Sequence, residues 1–175
     1  AKIEVLDSAA ATVTEATMVE NAVAIRDAGC TLDEAVTWLE AEKATNNIFF
    51  TVGNLDYLIK GGRIGKVSGR AANLLGIKPS LAVIDGELKV VKKYRGSLPI
   101  CVGKYITDLL DGRDDIDNSM VFISSCQPKP GCMEAIKAGL RRYGKFENII
   151  ETDIGTTIGG YSGPGTIGIV FAKKV

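Results

Sequence analysis

The sequence predicts an α/β protein in which a mixed β-sheet is covered by helices. Three observations carry that reading. Strand-like and helix-like periodicities alternate along most of the chain. A hairpin signal, with Asp85-Gly86 between two apolar runs, interrupts the alternation, so the sheet is not purely parallel. Finally, 175 residues at 46% hydrophobic content can bury the core of one domain or one and a fraction.

The elements follow in order. KIEVL (2–6) reads as a short strand ending at Asp7-Ser8. A helix is expected from about Thr14 to Ala28, with Met18, Ala22 and Ile25 on one face and Gly29 as its stop. Thr31 opens the next helix. Glu34 completes a capping box three positions on, and Leu32, Ala35, Val36 and Leu39 recur at helical spacing. NIFFTV (47–52) is a buried strand, LDYLIKGG (55–62) a short helix stopped by two glycines, and RAANLL (70–75) a second short helix. IKPSLAVI and ELKVVKKYR are the two arms of the hairpin. A helix over 97–111, a strand over 120–125, a helix over 131–143 and the strands NIIETDI and TIGIVFA complete the chain.

The boundary falls near Glu42–Asn47, where polar helices give way to a strongly apolar strand. A lone strand with two helices makes no sheet of its own. Residues 1–45 therefore read as a remnant of an N-terminal α/β domain, and 46–175 as a C-terminal α/β domain.

Composition narrows the function. Twenty-one basic and 21 acidic residues cancel, which leaves no electrostatic footprint for nucleic acid. No apolar run reaches the roughly 20 residues of a membrane helix. The start, AKIEVLDS, lacks the regions of a signal peptide. Four irregularly spaced cysteines read as reduced thiols, and the expected location is the cytoplasm. There is no histidine, which removes Ser-His-Asp and Cys-His nucleophile systems and histidine metal ligands.

Several motif-like strings fail their context tests. GPGTIG (163–168) fits G-x-G-x-x-G, but a β-prone run follows it where a dinucleotide site needs a helix. GRIGKV (62–67) lacks the first glycine of a phosphate loop and carries Val67 where Ser or Thr holds magnesium. The run Asp111, Asp114, Asp115, Asp117 has Arg113 at a calcium-ligand position and no central glycine, so it reads as a solvated turn. Cys126 and Cys132 lack zinc spacing and companion ligands.

What remains is a set of polar side chains on glycine-rich segments. Arg63 follows two glycines, Arg95 ends a hairpin strand, and GGYSGPG (159–165) reads as a turn presenting Tyr161 and Ser162. A guanidinium offers a planar fork of donors to a carboxylate or phosphate. Taken singly, each arginine is more readily read as an ordinary surface charge or helix-end partner, since arginines are mostly exposed.

Together these strings resemble the DegV family of bacterial fatty-acid-binding proteins. DYLIKGGRIGKVSG, followed by NLLGIKPSLAVIDGELKVVKKYRG, keeps the family's order and spacing. KIEVLDSAAAT is similar to its interior strand and Asp-Ser turn, and GYSGPGTIGIVF to its C-terminal Gly-Pro-Gly strand. The resemblance implies the C-terminal portion of such a protein. It further implies a long-chain fatty acid as ligand, held between two domains. Some members are the acyl-presenting subunit of fatty acid kinase, and a separate ATP-binding subunit phosphorylates the bound carboxylate. The resemblance maps its ligand-site arginines onto Arg63 and Arg95. With Tyr161 and Ser162 of the glycine-rich turn these are the expected ligand-binding residues. Arg95, at a hairpin end in a basic KKYR run, is expected to act mainly at the kinase-facing step. No catalytic residue, cofactor or metal is expected. The family usually carries histidine where this sequence has Tyr161, and its N-terminal hydroxyl-bearing domain has no counterpart here.

The ligand physics agrees. Each buried methylene gains roughly 0.8 kcal/mol, so an enclosed tail is worth on the order of 10 kcal/mol. The carboxylate must then be paired. The rival readings are a small phosphotransferase using Arg63 and Arg95, and a purely structural or interaction domain.

Overall fold

The computed structural model describes residues 2–43, 46–64, 77–84 and 86–173. The helix expected over 70–75 and Asp85 of the expected turn lie outside the described residues.

The chain opens with two helices, α1 (Val13–Asp27) and α2 (Leu32–Glu42). The capping box forms as its spacing predicts: the Thr31 Oγ1 accepts from the Glu34 backbone N–H, while the Thr31 N–H donates to Glu34 Oε2 at 2.8 Å. Then come β1 (Asn46–Thr51), α3 (Asp56–Lys60), β2 (Ile77–Ile84), β3 (Glu87–Arg95), α4 (Leu98–Leu110) and β4 (Met120–Cys126). The chain continues through α5 (Cys132–Tyr143), β5 (Asn148–Asp153), α6 (Thr156–Ser162) and β6 (Thr166–Ala172).

The six strands form one sheet in the order β3-β2-β1-β6-β4-β5. Among the described strands β4 and β5 pair in parallel, and the other neighbouring pairs are antiparallel. The sheet is mixed, as the interrupted alternation predicts.

Because side chains alternate across a strand, each central strand feeds two faces. Ile123 on β4 and Ile167, Ile169 and Phe171 on β6 pack against α4 and α5, with Ile106 and Ile136 as helix partners in the same cluster. This layer is continuous and buried. A second, smaller cluster joins Val52, Leu55, Leu58, Ile64 and Leu81 around α3. The opposite face of the central strands carries Ile48, Phe50, Gly168 and Val170, in register with one another. Helix α1 meets this sheet at β1 and β6, with Met18 buried.

Two expectations need correction. Residues 2–6 form no strand, and the six-stranded sheet does not include them. A strand needs a ladder partner, and without one Ile3 and Val5 are left 81% and 95% exposed. The expected turn over 159–165 is mostly helical. Helix α6 runs through Ser162, and the turn begins only at Gly163, whose φ of 78° ends the helix. Glycine content suggested a loop, but Thr156–Ser162 needs only two turns of helix and is held against α3.

Candidate binding groove

The open face of the sheet becomes a groove. Its floor is Ile48 and Phe50 of β1, Gly168 and Val170 of β6, Val83 of β2, Leu88 of β3 and Ser124 of β4. Helix α6 makes one wall through Thr157, Ile158, Tyr161 and Ser162, and residues 9–12 make another. The enclosed space is about 540 Å³. That falls within the ordinary range for small-molecule pockets, and the lining is chiefly apolar.

The size of the side chains explains why space is left here. Along β6 the helix-facing residues are large (Ile167, Ile169, Phe171), while those facing the groove are Thr166, Gly168 and Val170. A Cβ added at Gly168 would lie 3.6 Å from Phe50 Cβ, in ordinary contact. The glycine therefore leaves open volume and is not forced by crowding.

Two glycines build the rim by close approach. A Cβ at Gly61 would stand 2.4 Å from the Tyr161 ring, and one at Gly163 would stand 2.4 Å from the Tyr57 ring. So α3 and α6 each lay a tyrosine on the other's glycine. That packing fixes the Tyr161 ring beneath Arg63, whose Cζ is 3.9 Å from the ring centroid. Arg63 Nη1 also donates to the Gly61 carbonyl at 2.8 Å. The guanidinium is thus held in place while its side chain remains exposed, with donors left for an anion.

Of the four residues expected from the sequence, the fold brings three to this groove: Arg63, Tyr161 and Ser162. The Ser162 hydroxyl donates to the Ile158 carbonyl at 2.8 Å, so its hydrogen is committed within α6. Arg95 does not line the groove. It ends β3 opposite Ile77, eight residues along the strand from Glu87, a separation of roughly 26 Å. Sequence reasoning passed over Ser124, Phe50, Gly168 and the segment 9–12. The small-large alternation of TIGIVF was the available signal for the groove face.

The 9–12 wall is unusual in its backbone. Ala9 and Thr12 both have positive φ, 47° and 63°, a region that non-glycine residues seldom occupy. The turn is held locally, with the Ala9 N–H donating to Asp7 Oδ1 at 2.9 Å and the Ala10 N–H to Ser8 Oγ at 3.3 Å. No helix among the described residues is long and apolar enough to cross a membrane.

A mixed sheet with one face sealed by helices and the other kept as an apolar groove under a held guanidinium defines an α/β domain with a candidate ligand site. The chain belongs to the DegV family: the family model described as "Uncharacterised protein, DegV family" matches residues 1–174. A fatty acid-binding protein of Thermotoga maritima is 32% identical over 143 residues, covering 80% of this chain and 49% of that protein. The structure of a stearic acid-binding protein from Eubacterium ventriosum superposes with a TM-score of 0.72 at 31% identity, over 97% of this chain and 58% of that one. The fatty acid kinase (Fak) B3 protein of Streptococcus pneumoniae, loaded with linoleic acid, shares the fold with a TM-score of 0.81 at 20% identity, over 99% of this chain and 60% of that one. The chain spans about half to three-fifths of the length of the curated relatives it matches.

Proposed function

We propose that this chain holds a long-chain fatty acid in the groove, with the carboxylate at the Arg63–Tyr161 rim, and acts as a carrier and not as an enzyme. The observation that carries this reading is the pairing of an apolar trough of about 540 Å³ with one guanidinium fixed at its edge. Tail burial supplies affinity, and the guanidinium pairs the head group that would otherwise oppose it. The names of the Thermotoga and Eubacterium ventriosum proteins support the same ligand class. Binding of this kind needs no cofactor. The four free cysteines suit a reducing cytoplasm.

The name of the pneumococcal relative supports a further step, in which a separate kinase subunit phosphorylates the carboxylate presented at the rim. Arg95, remote from the groove, is assigned to that docking event. Replacing it with alanine should lower acyl-phosphate formation and leave acid affinity unchanged; equal losses in both would return it to the head-group site. Residues 1–45 are assigned to a remnant of an N-terminal α/β domain, a reading supported by residues 9–12, which wall the groove of the C-terminal domain.

The test of the central reading is mass spectrometry of acids extracted from the purified full-length protein, followed by titration of stearic acid into delipidated protein. A co-purified acid with saturable rebinding is expected. Neither an extracted acid nor any rebinding would leave the groove without this ligand.

A further inference from the structure

Ser124 is a polar group in the groove that head-group binding leaves unused. It stands on β4 directly opposite Gly168 of β6. It is only 5% exposed and lines the groove, yet its Oγ has no hydrogen-bond partner among the described residues. The neighbouring hydroxyls are spent: Ser162 donates to Ile158, and Thr166 to the carbonyls of Ser162 and Gly163. The missing side chain at Gly168 leaves the space beside Ser124 to whatever fills the groove.

Strand order gives its depth. Arg63 lies over the Gly86–Leu88 end of the trough, on the β3 side. The strand beneath that end, β3, and the strand that bears Ser124, β4, are four steps apart in the sheet, roughly 19 Å. A chain anchored at Arg63 thus meets Ser124 well along its hydrocarbon. A buried hydroxyl without a partner is unfavourable, and plain methylenes leave it so.

We propose that Ser124 is a specificity-determining residue, selecting acyl chains that carry a hydrogen-bond-accepting group in mid-chain, an oxygen substituent or a cis double bond, over saturated chains of equal length. The proposal rests on the fatty-acid reading of the groove. An oxygen accepts an ordinary hydrogen bond from Oγ, while the π bond of an alkene is a weaker acceptor of the same kind.

The experiment titrates octadecanoic, cis-9-octadecenoic and 10-hydroxyoctadecanoic acids into delipidated full-length protein, wild type and Ser124→Ala. Wild type should bind at least one substituted acid about three- to tenfold more tightly than octadecanoic acid. Ser124→Ala should erase that preference and tighten octadecanoic acid binding. Preference for the hydroxy acid alone identifies an oxygen as the group read; preference for the alkene alone identifies the double bond. Ser124→Cys keeps the volume with a weaker donor and should fall between, which preserves the test if the alanine variant folds poorly. Equal affinities for all three acids in wild type, or a preference that survives in Ser124→Ala, overturns the proposal. Failure of wild type to bind any of them sinks the underlying fatty-acid reading instead, so the two failures are told apart.

Discussion

The two faces of the central strands are built from alternate residues of the same segments, yet they do different work. On one face Ile123, Ile167, Ile169 and Phe171 interlock with α4 and α5 and are at most 2% exposed. On the other, Phe50, Gly168 and Ser124 border an open trough of about 540 Å³. Residue size separates them more than polarity does. The difference teaches that a strand can commit its odd positions to stability and leave its even positions facing an open trough. Mutations one residue apart should therefore have opposite signatures.

The largest expected effect is on the sealed face. Ile169→Ala should cost about 2–5 kcal/mol of folding stability, read by denaturant unfolding, because it leaves a cavity between β6 and the helices. Acid affinity per folded molecule should be unchanged. A matching loss of affinity would break the separation of the faces.

On the groove side, Arg63→Ala should weaken acid binding by roughly 1.5–3 kcal/mol, the worth of a charge-assisted hydrogen bond. Stability should scarcely move, since the side chain is exposed and held by the Gly61 carbonyl and the face of the Tyr161 ring, contacts of small worth at an exposed site. An unaltered affinity in calorimetric titration would remove Arg63 from the site.

Gly168→Val sharpens the contrast with Ile169 next to it. Its methyl groups would enter the trough and displace a methylene or two of ligand, for a loss of about 1–2 kcal/mol in affinity. A β-branched residue suits a strand, so the melting temperature should hold or rise. A variant that unfolds with binding intact would reverse the assignment of the faces.

The smallest effect distinguishes the two regions by pH. Asp108 on α4 is held below the usual carboxylate range by its bond from Lys92, at 2.7 Å, and further by the Tyr94 hydroxyl, although partial burial opposes this. A carboxyl with a lowered folded value contributes stability above its unfolded value near 4, and loses it as pH falls through the folded value. Asp108→Asn should therefore flatten the acid limb of stability below about pH 4 by a small amount, because the pair is partly solvent-screened. Acid binding, by contrast, should be flat between about pH 6 and 8, because the chain has no histidine to titrate there. A clear transition near pH 6.5 would point to another controlling group. Tyr161→His should introduce one.

Much of the fold was legible. The capping box at Thr31 and Glu34, the hairpin arms and the helix–strand order each depend on residues close in sequence, and each forms. The misreadings have a common cause. KIEVL looked like a strand because its composition suits one, but a strand exists only where a partner offers a ladder. GGYS looked like a turn because glycine weakens helices, but packing of Tyr161 on Gly61 and Tyr57 on Gly163 outweighs that preference. The site divides the same way. Arg63, Tyr161 and Ser162 stood out as polar groups among glycines, whereas Ser124 inside MVFISSC looked like one more strand residue.

By itself, then, the sequence determined the family, the alternation of elements and the large-small periodicity that leaves one face of β6 unfilled, because all of these are written in local spacing. Only the tertiary structure decided that β6 lies between β1 and β4, that α6 carries Tyr161 over Gly61 to hold Arg63, and that Arg95 falls at the far end of its hairpin. Those outcomes depend on contacts between residues dozens to more than a hundred positions apart. Their energies come from burial and shape fit across the sheet, which no local pattern encodes.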